Sequence, residues 1–182
     1  MTAKLPIVKI GNPVLRKTAE PVDGETLAGR DFQNFLKAMV VAMRHKGGVG
    51  LAANQVGRSL AAFVLECESN RRYPDAGRIP LALYINPKIV EYSQRRKEDW
   101  EGCLSIPGYR GRVPRAREVT FEALNERGEL VRKAVSGFQA RIIQHEIDHL
   151  NGLFYVDRMP DLRTWTHLEE FNRFFGKDID EG

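Results

Sequence analysis

The stretch QHEIDHLNG at residues 144–152 places two of the chain's four histidines four residues apart. In an α-helix, residues i and i+4 lie above one another on the same face, so His145 and His149 would project together, with Glu146 at the edge of that face. Two imidazoles in this arrangement can bind a metal ion, and the glutamate is placed to act as a general base. The competing interpretation is an amphipathic helix whose polar edge carries two hydrogen-bonded histidines.

Apolar residues around this stretch recur at helical spacing over residues 138–151, and Gly152 closes the segment. The same spacing predicts a long N-terminal helix over about residues 25–46 and a C-terminal helix over residues 161–175. The sequence therefore predicts the helix that the paired histidines require.

Three short runs rich in β-branched and aromatic residues predict strands: LAAFVLE at 60–66, LALYINPKIVEY at 81–92 and REVTFEAL at 117–124. Turn-rich segments, such as SNRRYPDAGRIP at 69–80, separate them. With no repeat or linker, we expect residues 1–182 to form a single domain. The predicted fold class is α+β, with mostly antiparallel strands packed around the central histidine-bearing helix.

The chain carries a net charge of +4, and four arginines crowd one short segment: Arg110, Arg112, Arg115 and Arg117. We interpret this segment as a solvated, arginine-rich loop. The positive charge permits a transient contact with the ribosome, but no motif indicates specific DNA binding. The chain has no apolar run long enough for a membrane span and no secretory signal, so we expect a cytoplasmic protein with both cysteines reduced. Removal of an organellar transit peptide is left open.

A catalytic metal site needs a third protein ligand, and EGCLSIPGYRG at 101–111 offers Cys103. A thiolate is a good ligand for Zn or Fe(II), and Gly102 allows close backbone approach. The competing interpretation of Cys103 is a small buried hydrophobic residue, which is our prediction for Cys67. A third segment, GGVGLAANQVG at 47–57, is interpreted either as a flexible turn or as a glycine-rich ligand contact followed by an amide donor.

Residues 48–55, 101–105 and 145–152 together resemble, in order, the three signature motifs of the peptide deformylases. These enzymes remove the formyl group from the N-terminal methionine of newly made proteins. The resemblance implies a metal-dependent hydrolase that releases formate and whose partner is the nascent formyl-Met polypeptide. Leu104 is typical of bacterial-type members.

The same resemblance implies that Cys103, His145 and His149 hold one divalent metal ion, Fe(II) or Zn(II), with water in the fourth position. A bound metal lowers the pKa of such a water to about 7. Glu146 would accept the proton of this water and later deliver one to the leaving amine.

By the resemblance, the side-chain amide of Gln55 and the backbone N–H of Leu104 stabilise the negative oxygen that forms during hydrolysis. The peptide would bind as an added strand, with methionine in an apolar pocket. The expected substrate-binding residues are Val49, Gly50, Gly102, Phe138 and Ile142. Asp148 is expected to pair with an arginine such as Arg115 and to support the helix.

Two other functions compete with this hypothesis. A metalloprotease with the same helix motif would take a downstream third ligand, for which only His167 is available among the histidines. A non-catalytic binding protein on the same fold would keep its function after Glu146→Gln, whereas an enzyme would lose most turnover.

Overall fold

A computed structural model describes residues 5–68 and 77–176 of the chain. The α-helices in these residues are α1 Gly24–Ala28, α2 Arg30–His45, α3 Gly137–Leu150 and α4 Leu168–Phe174. The strands are β1 Gly50–Ala52, β2 Ala62–Cys67, β3 Ile79–Tyr92, β4 Arg96–Cys103, β5 Ile106–Ala116, β6 Glu118–Leu124, β7 Leu130–Ser136 and β8 Thr166–His167. This mixture confirms the predicted α+β class.

The strands form two antiparallel sheets, one of five strands in the order β1-β2-β3-β6-β7 and one of three strands in the order β4-β5-β8. The helix α3 contacts strands of both sheets, including β1, β3 and β5. This central position brings residues from distant parts of the sequence against one helix face.

Both faces of β2 are buried, because a helix covers each side of the five-stranded sheet. Phe63 and Leu65 belong to the hydrophobic cluster that includes α3, whereas Val64 belongs to the cluster built around α2. Successive side chains of a strand point to opposite faces, so a strand buried on both faces has a continuous apolar sequence. The run Ala62–Leu65 fits this rule, since all four residues have no exposed surface.

The long N-terminal helix predicted over 25–46 is divided at Gly29. The side chain of Asp23 caps α1 by accepting from the Thr26 N–H at 2.7 Å. The Gly29 N–H bonds to the carbonyls of Glu25 and Thr26 and thereby ends this first short helix. A Cβ at Gly29 would lie 3.1 Å from the Thr26 oxygen, so the close turn favours glycine.

Two other predictions need correction. The arginine-rich segment is not a loop, because residues 106–116 form β5, in which Arg115 is buried. The C-terminal helix begins only at Leu168, after a short 3₁₀-helix and β8. The strands β4, β7 and β8 were not predicted at all. Most of the predicted turn at 69–80 and the acidic tail at 177–182 lie outside the described residues.

Among the described residues, no helix combines the length and the hydrophobicity that a membrane crossing requires.

Candidate metal centre

The helix α3 places three of its side chains at the bottom of a cleft. His149 has no exposed surface and Glu146 is 3% exposed, while the side chain of His145 retains 12%. The two imidazole Nε2 atoms lie 3.1 Å apart. The i, i+4 spacing of the histidines therefore produces the shared face that the sequence predicts.

The sulfur of Cys103 meets this pair from the end of β4. Its Sγ lies 3.2 Å from the Nε2 of His149, and the ligand atoms of Cys103, His145 and His149 all lie within 4.8 Å of one another. One thiolate and two imidazoles suit Zn or Fe(II), and three protein donors leave a position open for water. The residues therefore fit a catalytic divalent metal, and they are the one such cluster found among residues 5–68 and 77–176.

Cys103 and His145 shift one another's proton affinity. Burial opposes ionisation of the thiol, but the adjacent His149 and His145 hold the pKa of Cys103 well below its ordinary value. Burial likewise opposes protonation of His145, yet its hydrogen bonds to Cys103 and Glu101 raise its pKa well above the ordinary value. The surroundings of Cys103 therefore favour the thiolate, which is the form that binds metal.

Glu101 fixes the orientation of His145. Its carboxylate lies 2.9 Å from the His145 Nδ1, so the opposite ring nitrogen faces the cluster. The same carboxylate accepts hydrogen bonds from Arg115, at 2.9 and 3.0 Å, and from Arg141 at 2.6 Å. A carboxylate behind a histidine ligand selects the ring tautomer and raises ligand basicity.

A buried ion network continues behind this carboxylate. Arg115 also donates to Asp148 at 2.5 Å, which confirms the predicted pairing of these two residues. Arg158 donates to the other Asp148 oxygen at 2.7 Å. Because Arg115 and Asp148 are both buried, their pairing avoids the cost of an isolated buried charge. The network ties β5 to α3 beside the histidines.

Glu146 lies against the backbone of β1. A Cβ added at Gly50 would be 2.3 Å from the Oε1 of Glu146, so only glycine leaves room for this carboxylate. Burial raises the pKa of Glu146 to about 7. Its Oε2 is buried, with no hydrogen-bond partner among the described residues. A carboxyl group with a pKa near neutrality can both accept and deliver a proton.

The side-chain amide of Gln55 is held in one orientation. Its Oε1 accepts from the Ala52 N–H at 2.9 Å, so the NH₂ group points the other way. That nitrogen lies 3.3 Å from the Cys103 Sγ and 3.2 Å from the Ser105 hydroxyl. An N–H donor is thereby aimed at the Cys103 end of the candidate metal-binding cluster.

The cleft above these groups has a volume of about 400 Å³. Eleven residues are predicted as metal ligands, catalytic residues or substrate contacts. Ten of them line the cleft: Val49, Gly50, Gln55, Gly102, Cys103, Leu104, Phe138, Ile142, His145 and Glu146. The eleventh, His149, has no exposed surface and contacts Cys103. The structure thus gathers every predicted site residue around one cavity.

A sequence model of the polypeptide deformylase family matches residues 4–165 of the chain. The chain belongs to the polypeptide deformylase family. Peptide deformylase 2 of Pseudomonas putida is 38% identical over 175 residues, which make up 96% of this chain and 97% of that relative. Peptide deformylase 1 of Nitrosomonas europaea is 40% identical over 164 residues, or 90% of this chain and 92% of that relative.

Solved structures agree with this family. The class I type b peptide deformylase from Acinetobacter baumannii, with Met-Ala-Ser bound, has a TM-score of 0.85 and 40% identity, covering 87% of this chain and 100% of that one. The enzyme from Thermotoga maritima has a TM-score of 0.76 and 36% identity, covering 86% and 98%. Deformylases are hydrolases that use a single divalent metal to remove the N-formyl group from nascent peptides, so the predicted family and activity are confirmed.

Three features of this deformylase site escaped the sequence reasoning. Glu101 lies within the second motif, but the sequence predicts no role for it, although it contacts His145. Arg141, one helical turn before His145, is predicted only as part of the helix, yet it bonds to Glu101 and to the carbonyls of Val113 and Lys97. The signal available for Arg141 was its i, i+4 position relative to His145, on the same helix face.

The third feature is an N-terminal segment, residues 8–10, which binds two of the deformylase motifs. The Val8 N–H donates to the Gln55 carbonyl at 2.8 Å, and the Ile10 N–H donates to the Ser105 carbonyl at 2.9 Å. Between them, the ammonium of Lys9 donates to the Leu104 carbonyl at 2.9 Å. Main-chain contacts leave little sequence signal, which explains why this segment was missed.

Proposed function

We propose that Cys103, His145 and His149 hold the divalent metal of this deformylase and that Glu146 moves the proton during hydrolysis. The observation that carries the proposal is the approach of all three donor groups to within 4.8 Å of one another, beside the buried carboxylate of Glu146. When bound, such a metal acts as a Lewis acid and lowers the pKa of a coordinated water to about 7.

Glu146 accepts the proton of the attacking water and delivers a proton to the departing amine nitrogen. The C–N bond of the formamide breaks, and the products are formate and a peptide with a free N-terminus. A pKa of about 7 for Glu146 suits both steps near neutral pH, because the carboxylate is then neither too weak a base nor too weak an acid.

Gln55 and Leu104 stabilise the formyl oxygen as it gains negative charge. The Gln55 amide is already oriented toward the cluster by the Ala52 N–H, and Lys9 holds the peptide that follows the Leu104 N–H by donating to the Leu104 carbonyl. Donors that need no rearrangement contribute most, and loss of one typically raises the barrier by about 3 to 4 kcal/mol.

The peptide substrate binds as an extended strand between Val49 and Gly50 on one side and Gly102 on the other. Main-chain hydrogen bonds of this kind are independent of side-chain identity, which an enzyme acting on many nascent chains requires. Phe138 and Ile142 form the methionine pocket. Support comes from their shared cleft and from the Acinetobacter enzyme, which was solved with Met-Ala-Ser.

We further propose that residues 1–182 form one catalytic domain that works in the bacterial cytoplasm and contacts the ribosome transiently. The bacterial relatives and the net charge of +4 support this proposal. Exposed Arg112 and Arg117 on and beside β5 offer positive charge to ribosomal RNA. Co-sedimentation with ribosomes that weakens with added salt, and that weakens further in an Arg112→Gln, Arg117→Gln variant, is the expected result.

The catalytic proposal is tested by formate release from a formyl-Met-Ala-Ser peptide by anaerobically purified, metal-loaded protein. Cys103→Ala should lose both metal and turnover. Glu146→Gln should retain the metal and lose turnover, which separates a proton-transfer role from a structural one. Retained turnover in Glu146→Gln would refute its role. Cleavage of internal bonds in unformylated peptides would instead support the protease alternative.

A further inference from the structure

The family match ends at residue 165, but the chain continues along the edge of the cleft. The C-terminal wall, defined here as residues 166–175, contains β8, α4 and Phe175. Leu168, the first residue of α4, lines the cleft together with Trp100 of β4. A segment beyond the family-matched residues therefore contributes an apolar side chain to the substrate-binding cavity.

The C-terminal wall is anchored before Leu168 by β8. His167 pairs with Tyr109, and Thr166 pairs with Arg110, both on β5. The preceding Trp165 stacks on the Tyr109 ring with centroids 4.6 Å apart, and its indole N–H donates to the hydroxyl of Tyr155 at 3.1 Å. Backbone pairing and ring stacking together fix where Leu168 enters the cleft.

The wall is anchored after Leu168 by aromatic packing on Trp100. The buried Phe171 contacts the Trp100 ring edge-on at 4.9 Å, and Phe175 contacts it at 5.2 Å. The guanidinium of Arg112 lies 6.0 Å from the centre of the same ring. Trp100 is thus braced by the C-terminal wall and remains one of the residues that line the cleft.

We propose that Trp100 and Leu168 form an apolar subsite for the side chain of the second or third residue of the formyl peptide. This inference rests on the proposed function, since it needs an extended peptide in the cleft. Two rigidly held apolar side chains favour an aliphatic or aromatic partner over a small polar one, because contact removes apolar surface from water. The subsite would add selectivity to main-chain binding that itself reads no sequence.

The geometry of an extended peptide allows one of its side chains to reach the subsite at Trp100 and Leu168. Successive residues of a strand advance about 3.3 Å and alternate their side chains between two faces. One of the two residues after methionine therefore directs its side chain toward the wall of the cleft that carries Trp100 and Leu168. Peptides that are varied separately at these two positions identify which residue contacts Trp100 and Leu168.

The experiment compares two peptide series, formyl-Met-X-Ala and formyl-Met-Ala-X, in which X is Leu, Phe, Ser or Asp. Formyl-Met amide, which lacks downstream residues, is the reference substrate. In the wild-type enzyme we expect Leu and Phe to exceed Ser in kcat/KM by about 10-fold at one position, the lower end of what one apolar contact gives. Leu168→Ser should abolish most of this preference. Leu168→Arg should shift it toward Asp at the same position.

Phe174→Ser is the matched control, since Phe174 lies on the same helix, is 64% exposed and does not line the cleft. It should keep both the wild-type preference and the wild-type rate on formyl-Met amide. An unchanged preference in Leu168→Ser, or an equal loss on every substrate including formyl-Met amide, would overturn the subsite. Absence of formate from formyl-Met amide in metal-loaded wild-type enzyme would instead refute the proposed function on which it rests.

Discussion

Replacing Glu101 by Gln removes a buried negative charge that lies between two buried arginines and the partly buried His145. The carboxylate accepts hydrogen bonds from Arg115 and Arg141 and lies 2.9 Å from the His145 Nδ1. Glutamine has almost the same shape, but it offers only one oxygen acceptor and introduces an NH₂ group. That NH₂ group would face donors, so at least one of the existing hydrogen bonds is lost.

The expected loss of folding free energy depends on the hydrogen bonds that each arginine keeps. Arg115 retains Asp148 at 2.5 Å, and Arg141 retains the carbonyls of Val113 and Lys97 at 2.9 and 2.7 Å. Breaking one side of a buried ion pair costs about 3 to 5 kcal/mol, and these remaining contacts place Glu101→Gln near the lower value. Loss of the carboxylate behind His145 should also weaken metal affinity by about 10- to 100-fold.

Urea unfolding of the metal-free proteins measures the loss of folding stability, and competition with a metal chelator measures the loss of metal affinity. Glu122→Gln is the control, since Glu122 pairs with Arg132 at 2.8 Å on the surface and such a change alters stability by about 0.5 kcal/mol or less. The partners of Glu101 lower its pKa, so its stabilising effect should persist above the ordinary pKa of 4.5 and fade only as pH falls through the lowered value. Equal unfolding midpoints and chelator sensitivities for the two variants would refute the reasoning.

Three further predictions concern the site and its support. Gly50→Ala should lower kcat by about 100-fold with metal content unchanged, because its Cβ would lie 2.3 Å from the Glu146 Oε1 and displace the carboxylate; full activity in a formate assay would contradict this. Glu146 must be ionised to accept the proton of the attacking water, and burial raises its pKa to about 7. We therefore expect kcat/KM to fall as the pH is lowered below about 7, and a rise in kcat/KM would exclude Glu146 as the base. Gly152→Ala should destabilise the fold by about 1 to 3 kcal/mol in thermal unfolding, because Gly152 has a φ of +73° and its Cβ would lie 2.5 Å from the Arg16 oxygen. Gly24→Ala, where a Cβ meets nothing within 4 Å, is the matched control and should stay near wild-type stability.

The elements with a clear apolar period were predictable from the sequence. The helix α3 and the strands β2, β3 and β6 lie within about two residues of their predicted positions because one side, or both sides, of each packs against the core. The approach of the two histidines was predictable for the same reason, since helical spacing alone brings His145 and His149 together. Cys103, by contrast, was assigned beside them by the family resemblance.

The hairpin of β4 and β5 was not predictable from local pattern. Arginines, glycines and prolines interrupt its apolar residues, and these residue types usually indicate a loop. Arg115 is buried because Glu101 and Asp148 approach it from β4 and α3, and such long-range charge pairing leaves no periodic signal. The position of Leu168 in the cleft likewise depends on the tertiary pairing of β8 with β5.

The contacts of the N-terminal segment have a consequence for the order of events during synthesis. Val8 bonds to Gln55 and Ile10 to Ser105, and Ala19 donates to the carbonyl of Leu150 at the end of α3. Val8, Ile10 and Ala19 therefore complete these hydrogen bonds only after residues 55, 105 and 150, respectively, have been made. Such long-range closure slows folding. The proposed metal site is likewise complete only after residue 149 has been made, because His149 is the last of its three ligands in the sequence.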